Sequence, residues 1–166
     1  MRTVRLLVLL LAVVLAAVVL TPGGVATGQA RTTWYAPLSG DEEVPRNASR
    51  GAGFASFELA PAGNALQYYL FVDNIQNVQM AHIHIGAAGQ NGPVAVWLYP
   101  PAPPARLISG TVSGMIGQGT ITTANFTGPL QGQPFGALVN AFNNGTAYVN
   151  VHTTQFPGGE IRGQIR

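Results

Sequence analysis

From residue 33 onward the chain alternates short apolar or strictly alternating runs with clusters of Gly, Pro, Asn and Asp. No apolar spacing of three to four residues persists beyond about two turns, so strands rather than helices are predicted. The runs are 33–38, 52–59, 65–72, 79–85, 94–99, 107–112, 119–122, 146–152 and 160–165. Alternation is clearest in 53–59 and in 66–72, the latter followed by a predicted turn at Asp73-Asn74. Successive strand side chains point to opposite faces, so these runs have one face to bury. The predicted fold class is all-β, an antiparallel β-sandwich.

Connections follow from turn chemistry. Pro61-Ala62-Gly63-Asn64 is a tight link that should join the second and third runs as a hairpin. Pro100-Pro101-Ala102-Pro103-Pro104 reads as a stiff surface loop, since proline cannot donate to a ladder. One short helix is predicted over 134–143, before the penultimate strand, with Phe135, Leu138 and Phe142 on one face and Asn144-Gly145 as its C-terminal stop. At about two turns it needs a tertiary surface to pack on.

Residues 1–30 read differently from the rest. Arg2 and Arg5 precede an apolar run over 6–20, then Thr21-Pro22-Gly23-Gly24 and small-residue sites ending at Ala26 or Ala30. That is the pattern of a secretory signal peptide. The alternative, an uncleaved anchor, is disfavoured because a spanning helix needs about 18 apolar residues or more. The expected division is therefore a leader over 1–30 and one domain over 31–166. The expected location is secreted, extracellular or periplasmic, with membrane contact only through the leader during export.

Removing the leader changes the charge. The whole chain carries +2 with a pI near 9.4, but from residue 31 Arg31, Arg46, Arg50, Arg106, Arg162 and Arg166 balance Asp41, Glu42, Glu43, Glu58, Asp73 and Glu160. No basic stripe is left to bind nucleic acid. There is no cysteine, which excludes disulfides, thiolate metal sites and a cysteine nucleophile. Three Asn-X-Ser/Thr triplets occur, at Asn47, Asn125 and Asn144, and matter only in a glycosylating host.

Candidate chemistry centres on the three histidines. His82 and His84 are two apart on one run and so share a face, ahead of a turn containing Gly86, Gly89 and Gly92, and His152 lies on a later run. If the three imidazoles converge, they suit copper or zinc with an open position for water or substrate. The opposing interpretation is a structural cluster hydrogen-bonded to carbonyls, Asn150 or Tyr148. Of Asp41-Glu42-Glu43, Glu43 is the one expected to turn inward. Glu160 and Arg162 share a strand face and are expected to form a structural ion pair or backbone cap, or to support a histidine from behind. The glycine turn lacks a P-loop lysine and reads as a β-connection needing positive φ. Trp34, Tyr35, Trp97 and Tyr99 suggest a sugar or peptide platform, although strand aromatics more often pack in cores or cross-strand pairs. No nucleophile elbow or tuned carboxylate pair is found, so the chain is read as leaning away from an enzyme.

The order of these landmarks resembles the CHRD domain, the module named after chordin. The matching blocks are Leu38-Ser39-Gly40 with Glu43-Val44-Pro45, Gly51-Ala52-Gly53-Phe54-Ala55, Leu66-Gln67-Tyr68, Ala81-His82-Ile83-His84-Ile85-Gly86, Asn91-Gly92-Pro93-Val94, Gly145 to Thr153 and Pro157 to Ile165. The resemblance implies a secreted β-rich module that binds an extracellular ligand or protein, without a general catalytic role. A second similarity is to copper/zinc superoxide dismutases, which carry a His-X-His strand, a glycine loop and a later strand histidine. It implies a Greek-key sandwich, with His82, His84 and His152 matching three of four copper ligands. The fourth histidine, the zinc loop and the disulfide of that family are absent, and Arg162 is out of register with its guiding arginine. A copper-dependent oxidoreductase of that kind is thus the alternative to a binding module.

Overall fold

The computed structural model describes residues 31–166, so the expected leader lies outside the described residues. Among the described residues there are seven strands, β1 (Thr33–Ser39), β2 (Ala52–Leu59), β3 (Leu66–Ile85), β4 (Val94–Tyr99), β5 (Ile108–Ile121), β6 (Ala147–Thr153) and β7 (Ile161–Gln164), and one α-helix, α1 (Gly136–Asn143), before β6. The all-β expectation and the helix before the penultimate strand hold. Among the described residues no helix is long and apolar enough to cross a membrane.

The strands form one sheet rather than two separate stacked layers. Its order is β2-β1-β7-β6-β3, and β3 also pairs with β2, which closes a ring. β4 and β5 add to β3 outside that ring. Closure is possible because β3 is 20 residues long. Its first half pairs with β2 and β5, its second half with β6 and β4.

The length of β3 corrects the turn expected at Asp73-Asn74. The chain bends there without reversing: Asn74 and Asn77 take φ of 54° and 52°, at register shifts between Val72 and Ile75 and between Gln76 and Val78. Asparagine tolerates the left-handed region, so it can serve as the extra residue of a bulge where the strand turns a barrel corner. The runs at 107–112 and 119–122 are likewise one strand, β5, opposite this bend.

The inner face of the ring holds the apolar core, with Trp34, Ala55, Leu66, Leu70, Ala81, Ile83, Val149, Val151 and Ile161 fully buried. Helix α1 packs its predicted face onto it. The Phe142 ring meets Trp34 edge-on at 5.6 Å and Phe57 at 5.0 Å, and Gly145 ends the helix with φ of 64°. The expected hairpin between β2 and β3 is present.

Every residue of β6 is buried. One face of that strand meets the core; the other lies under a roof of three connections, residues 40–51, 86–93 and 154–160. Side chains tie the roof together. Asn47 Nδ2 donates to the Gly159 and Glu160 carbonyls, Asn91 Nδ2 donates to the Val44 carbonyl, and Arg162 reaches Asn91. Between roof and sheet lies a buried polar layer.

Candidate functional site

The three histidines meet in that layer. Strand alternation sends Ala81 and Ile83 into the core and His82 and His84 outward under the roof, and the antiparallel register sets β6 alongside, with Met80 opposite His152, His82 opposite Asn150 and His84 opposite Tyr148. One nitrogen from each of His82, His84 and His152 lies within 4.8 Å of the others. All three are buried, at 2%, 8% and 6% exposure.

The proton positions follow from the partners. A carbonyl only accepts, so His84 Nδ1–H donates to Gly92 O at 2.9 Å and His152 Nδ1–H donates to Pro157 O at 3.0 Å. Both Nε2 atoms then carry lone pairs. His152 Nε2 receives a hydrogen bond from His82 Nδ1 at 3.2 Å. The Nε2 atoms of His82 and His84 are buried with no partner. Burial, which penalises the charged ring, pushes His82 down to about 3, with the neighbouring imidazoles adding to the effect. It pushes His152 down to about 4 and lowers His84 as well. The cluster is a set of neutral imidazoles.

The supporting residues divide the work differently from the sequence expectation. Glu160 and Arg162 do not pair with each other. Glu160 accepts from Ser49 Oγ and Thr153 Oγ1, both at 2.7 Å, and so braces the roof. Arg162, 1% exposed, donates to the carbonyls of Ala87 and Gln90 and to Asn91 Oδ1, capping the glycine turn. Its guanidinium lies 3.5 Å from the centre of the Tyr148 ring, whose other neighbour is the His84 ring, parallel within 10° at 4.8 Å. Glu43 is buried, as expected, while Asp41 and Glu42 stay exposed. It accepts from Asn150 Nδ2 at 2.8 Å, and burial raises its carboxyl to about 7.

The glycine turn needs its glycines for two different reasons, not the single one expected. Only Gly89 among the three has positive φ, at 75°. At Gly92 a Cβ would sit 1.8 Å from Ile85 O, and at Gly86 one would press on Gln90 O and Tyr148. Close approach therefore holds the Gly92 carbonyl where His84 can reach it.

Some roles were not read from the sequence. Tyr148 works as a spacer between a cation and a histidine, and the Pro157 carbonyl orients His152. Trp97 packs edge-on against His82 with ring centres 4.3 Å apart. The strand register, once known, would have found the first and last; nothing in the residue types points to Pro157. The four-aromatic platform does not exist, because Trp34 and Tyr99 are buried while Tyr35 is exposed and Trp97 half-buried.

Fold and site together define a β-barrel module with a buried three-histidine cluster under a loop roof. The chain belongs to the CHRD domain family, whose model matches residues 34–165. Neither the curated proteins nor the solved structures gave a match.

Proposed function

We propose that this chain is an exported CHRD module that holds one copper or zinc ion through His82 Nδ1 and the Nε2 atoms of His84 and His152. The observation that carries the reading is the buried His84 Nε2, which has no partner while one nitrogen from each of the three histidines lies within 4.8 Å of the others. An unpaired buried polar atom costs about 1–3 kcal/mol, a cost that a ligand bond at His84 removes. The donor set fits the group. Two nitrogens bound tetrahedrally at 2.0–2.1 Å stand roughly 3.3 Å apart, and His82 Nδ1 and His152 Nε2 already stand at 3.2 Å. Three neutral imidazoles suit Cu or Zn. The carbonyls of Gly92 and Pro157 fix the two Nε2-ligating tautomers, and only His82 has to move its proton to its other nitrogen. When bound, such an ion supplies a Lewis-acid or, for copper, a redox centre.

The test is metal titration of mature protein stripped with chelator. One equivalent of Cu(II) should quench Trp97 fluorescence through the adjacent His82, and His84→Ala or His152→Ala should abolish stoichiometric binding. Unchanged copper and zinc affinity in both variants would sink the proposal. The competing dismutase-type oxidoreductase shares the ligands. It predicts superoxide decay by copper-loaded protein that His84→Ala removes; bound metal without that activity leaves the binding module.

A further inference from the structure

The surface beside β4 carries a second arrangement, chemically unlike the histidine layer. Two adjoining clefts of about 100 and 240 Å³ share Trp97, Pro101 and Asn125. Tyr68, Gln118, Thr120 and Ile121 complete one; Ala102, Pro103, Phe126 and Thr127 belong to the other. The indole of Trp97 is the common wall, half-buried and backed by the His82 ring. Its position is fixed from behind while part of its surface stays open to solvent.

The polar groups around it are neutral and only partly used within the chain. No Asp, Glu, Lys, Arg or His lines either cleft. Asn125 uses only Oδ1 within the chain, accepting from Thr122 as a cap. Its Nδ2 and the whole Gln118 amide make no hydrogen bond to the described residues, and Thr120 Oγ1 has donated its proton to Gln67 but keeps an acceptor lone pair. Free amide donors and acceptors ringing a rigid indole form a site with apolar stacking area and convergent neutral polar groups.

We propose that this cleft binds a neutral glycan chain, one sugar ring stacked on Trp97 with its hydroxyls met by Gln118, Thr120 and Asn125. The charge pattern selects the ligand class. With no cation in the lining, phosphates, nucleic acids and sulfated or uronic polymers have nothing to pair with. The apolar C–H face of a pyranose matches the indole, and its hydroxyls match amides that both donate and accept. Pyrrolidine rings at Pro101 and Pro103 stiffen the rim, so little ordering entropy is lost on binding. The His82 ring backs the indole, but the sugar contacts need no ion at the histidine cluster.

The test uses chelator-treated mature protein with cello-, chito- and laminarihexaose, read by Trp fluorescence and calorimetry. Trp34 is fully buried and bonded to Asn143, so it gives a constant background. At least one of the three should bind and shift the Trp97 emission. Trp97→Ala should weaken it by about 30-fold, the scale for losing a stacked aromatic anchor. Asn125→Asp, which keeps the Oδ1 cap and removes the Nδ2 donor, and Gln118→Ala should each weaken it several-fold; these two carry the test if Trp97→Ala does not fold. No binding of any of the three at millimolar concentration would overturn the proposal. So would binding unaffected by the three substitutions, or a preference for heparin or a proline-rich peptide.

Discussion

Burial moves the histidines and Glu43 toward the same charge, zero, from opposite sides. The imidazoles titrate below their usual 6.5, so their contribution to stability is complete above pH 6.5 and is lost as pH falls, toward 4 for His152 and toward 3 for His82. Glu43 titrates near 7 against 4.5 when unfolded; its contribution is complete below 4.5 and lost as pH rises through 7. Between 6.5 and 4.5 His82 and His152, which titrate lower still, outweigh the one carboxyl. Metal-free protein should therefore lose stability on acidification, by up to about 1.4 kcal/mol per pH unit for each net proton. Thermal unfolding at pH 6.5, 5.5 and 4.5 should show a falling Tm, and Glu43→Gln should steepen the fall. A Tm that rises toward pH 4.5 would contradict these assignments. The residue types and their shared face were legible in the sequence, because strand alternation alone puts His82 and His84 together. Their distance to His152 was not, since it depends on the β3–β6 register, and neither was the pairing of Arg162 with a tyrosine ring instead of Glu160.

Among the elements, α1 has the least intrinsic stability. It spans eight residues, too few to persist alone, and its order comes from Phe142 seated between Trp34 and Phe57. Phe142→Ala should cost about 3–5 kcal/mol, measured by urea unfolding, whereas Ala at the exposed Asn140 should stay within about 0.5 kcal/mol. Equal effects would mean that the aromatic contact does not anchor the helix. This helix was readable because its apolar spacing and its terminal Asn-Gly agree. The two long strands were not, and the reason is local: Asp-Asn is a turn signal in most contexts, and only pairing with β5 on the far side converts it to a bulge.

For the whole molecule, the β3 closure distributes stability unevenly. The ring strands are paired on both sides, while β5 pairs with β3 alone and leaves its other edge open. Amide exchange should accordingly be slowest in β6, buried on both faces, and faster by orders of magnitude in β5. Uniform protection across both would show that β5 is no weaker than the barrel. Strand content and direction could be read from the chain, but closure rests on pairings between residues more than a hundred positions apart, such as Ser39 with Arg162, which no local pattern encodes.

The roof bears on how the protein can be produced. Asn47 opens an Asn-Ala-Ser triplet, yet both hydrogens of its Nδ2 are committed, to the carbonyls of Gly159 and Glu160. An oligosaccharide attached to that nitrogen would displace one of these bonds and push bulk into the joint between two loops. Asn125 and Asn144 are exposed and face no such conflict. In a eukaryotic secretory pathway, modification before folding would compete with closure of the roof at Asn47 alone, so a host that does not N-glycosylate is the compatible one for making the native protein.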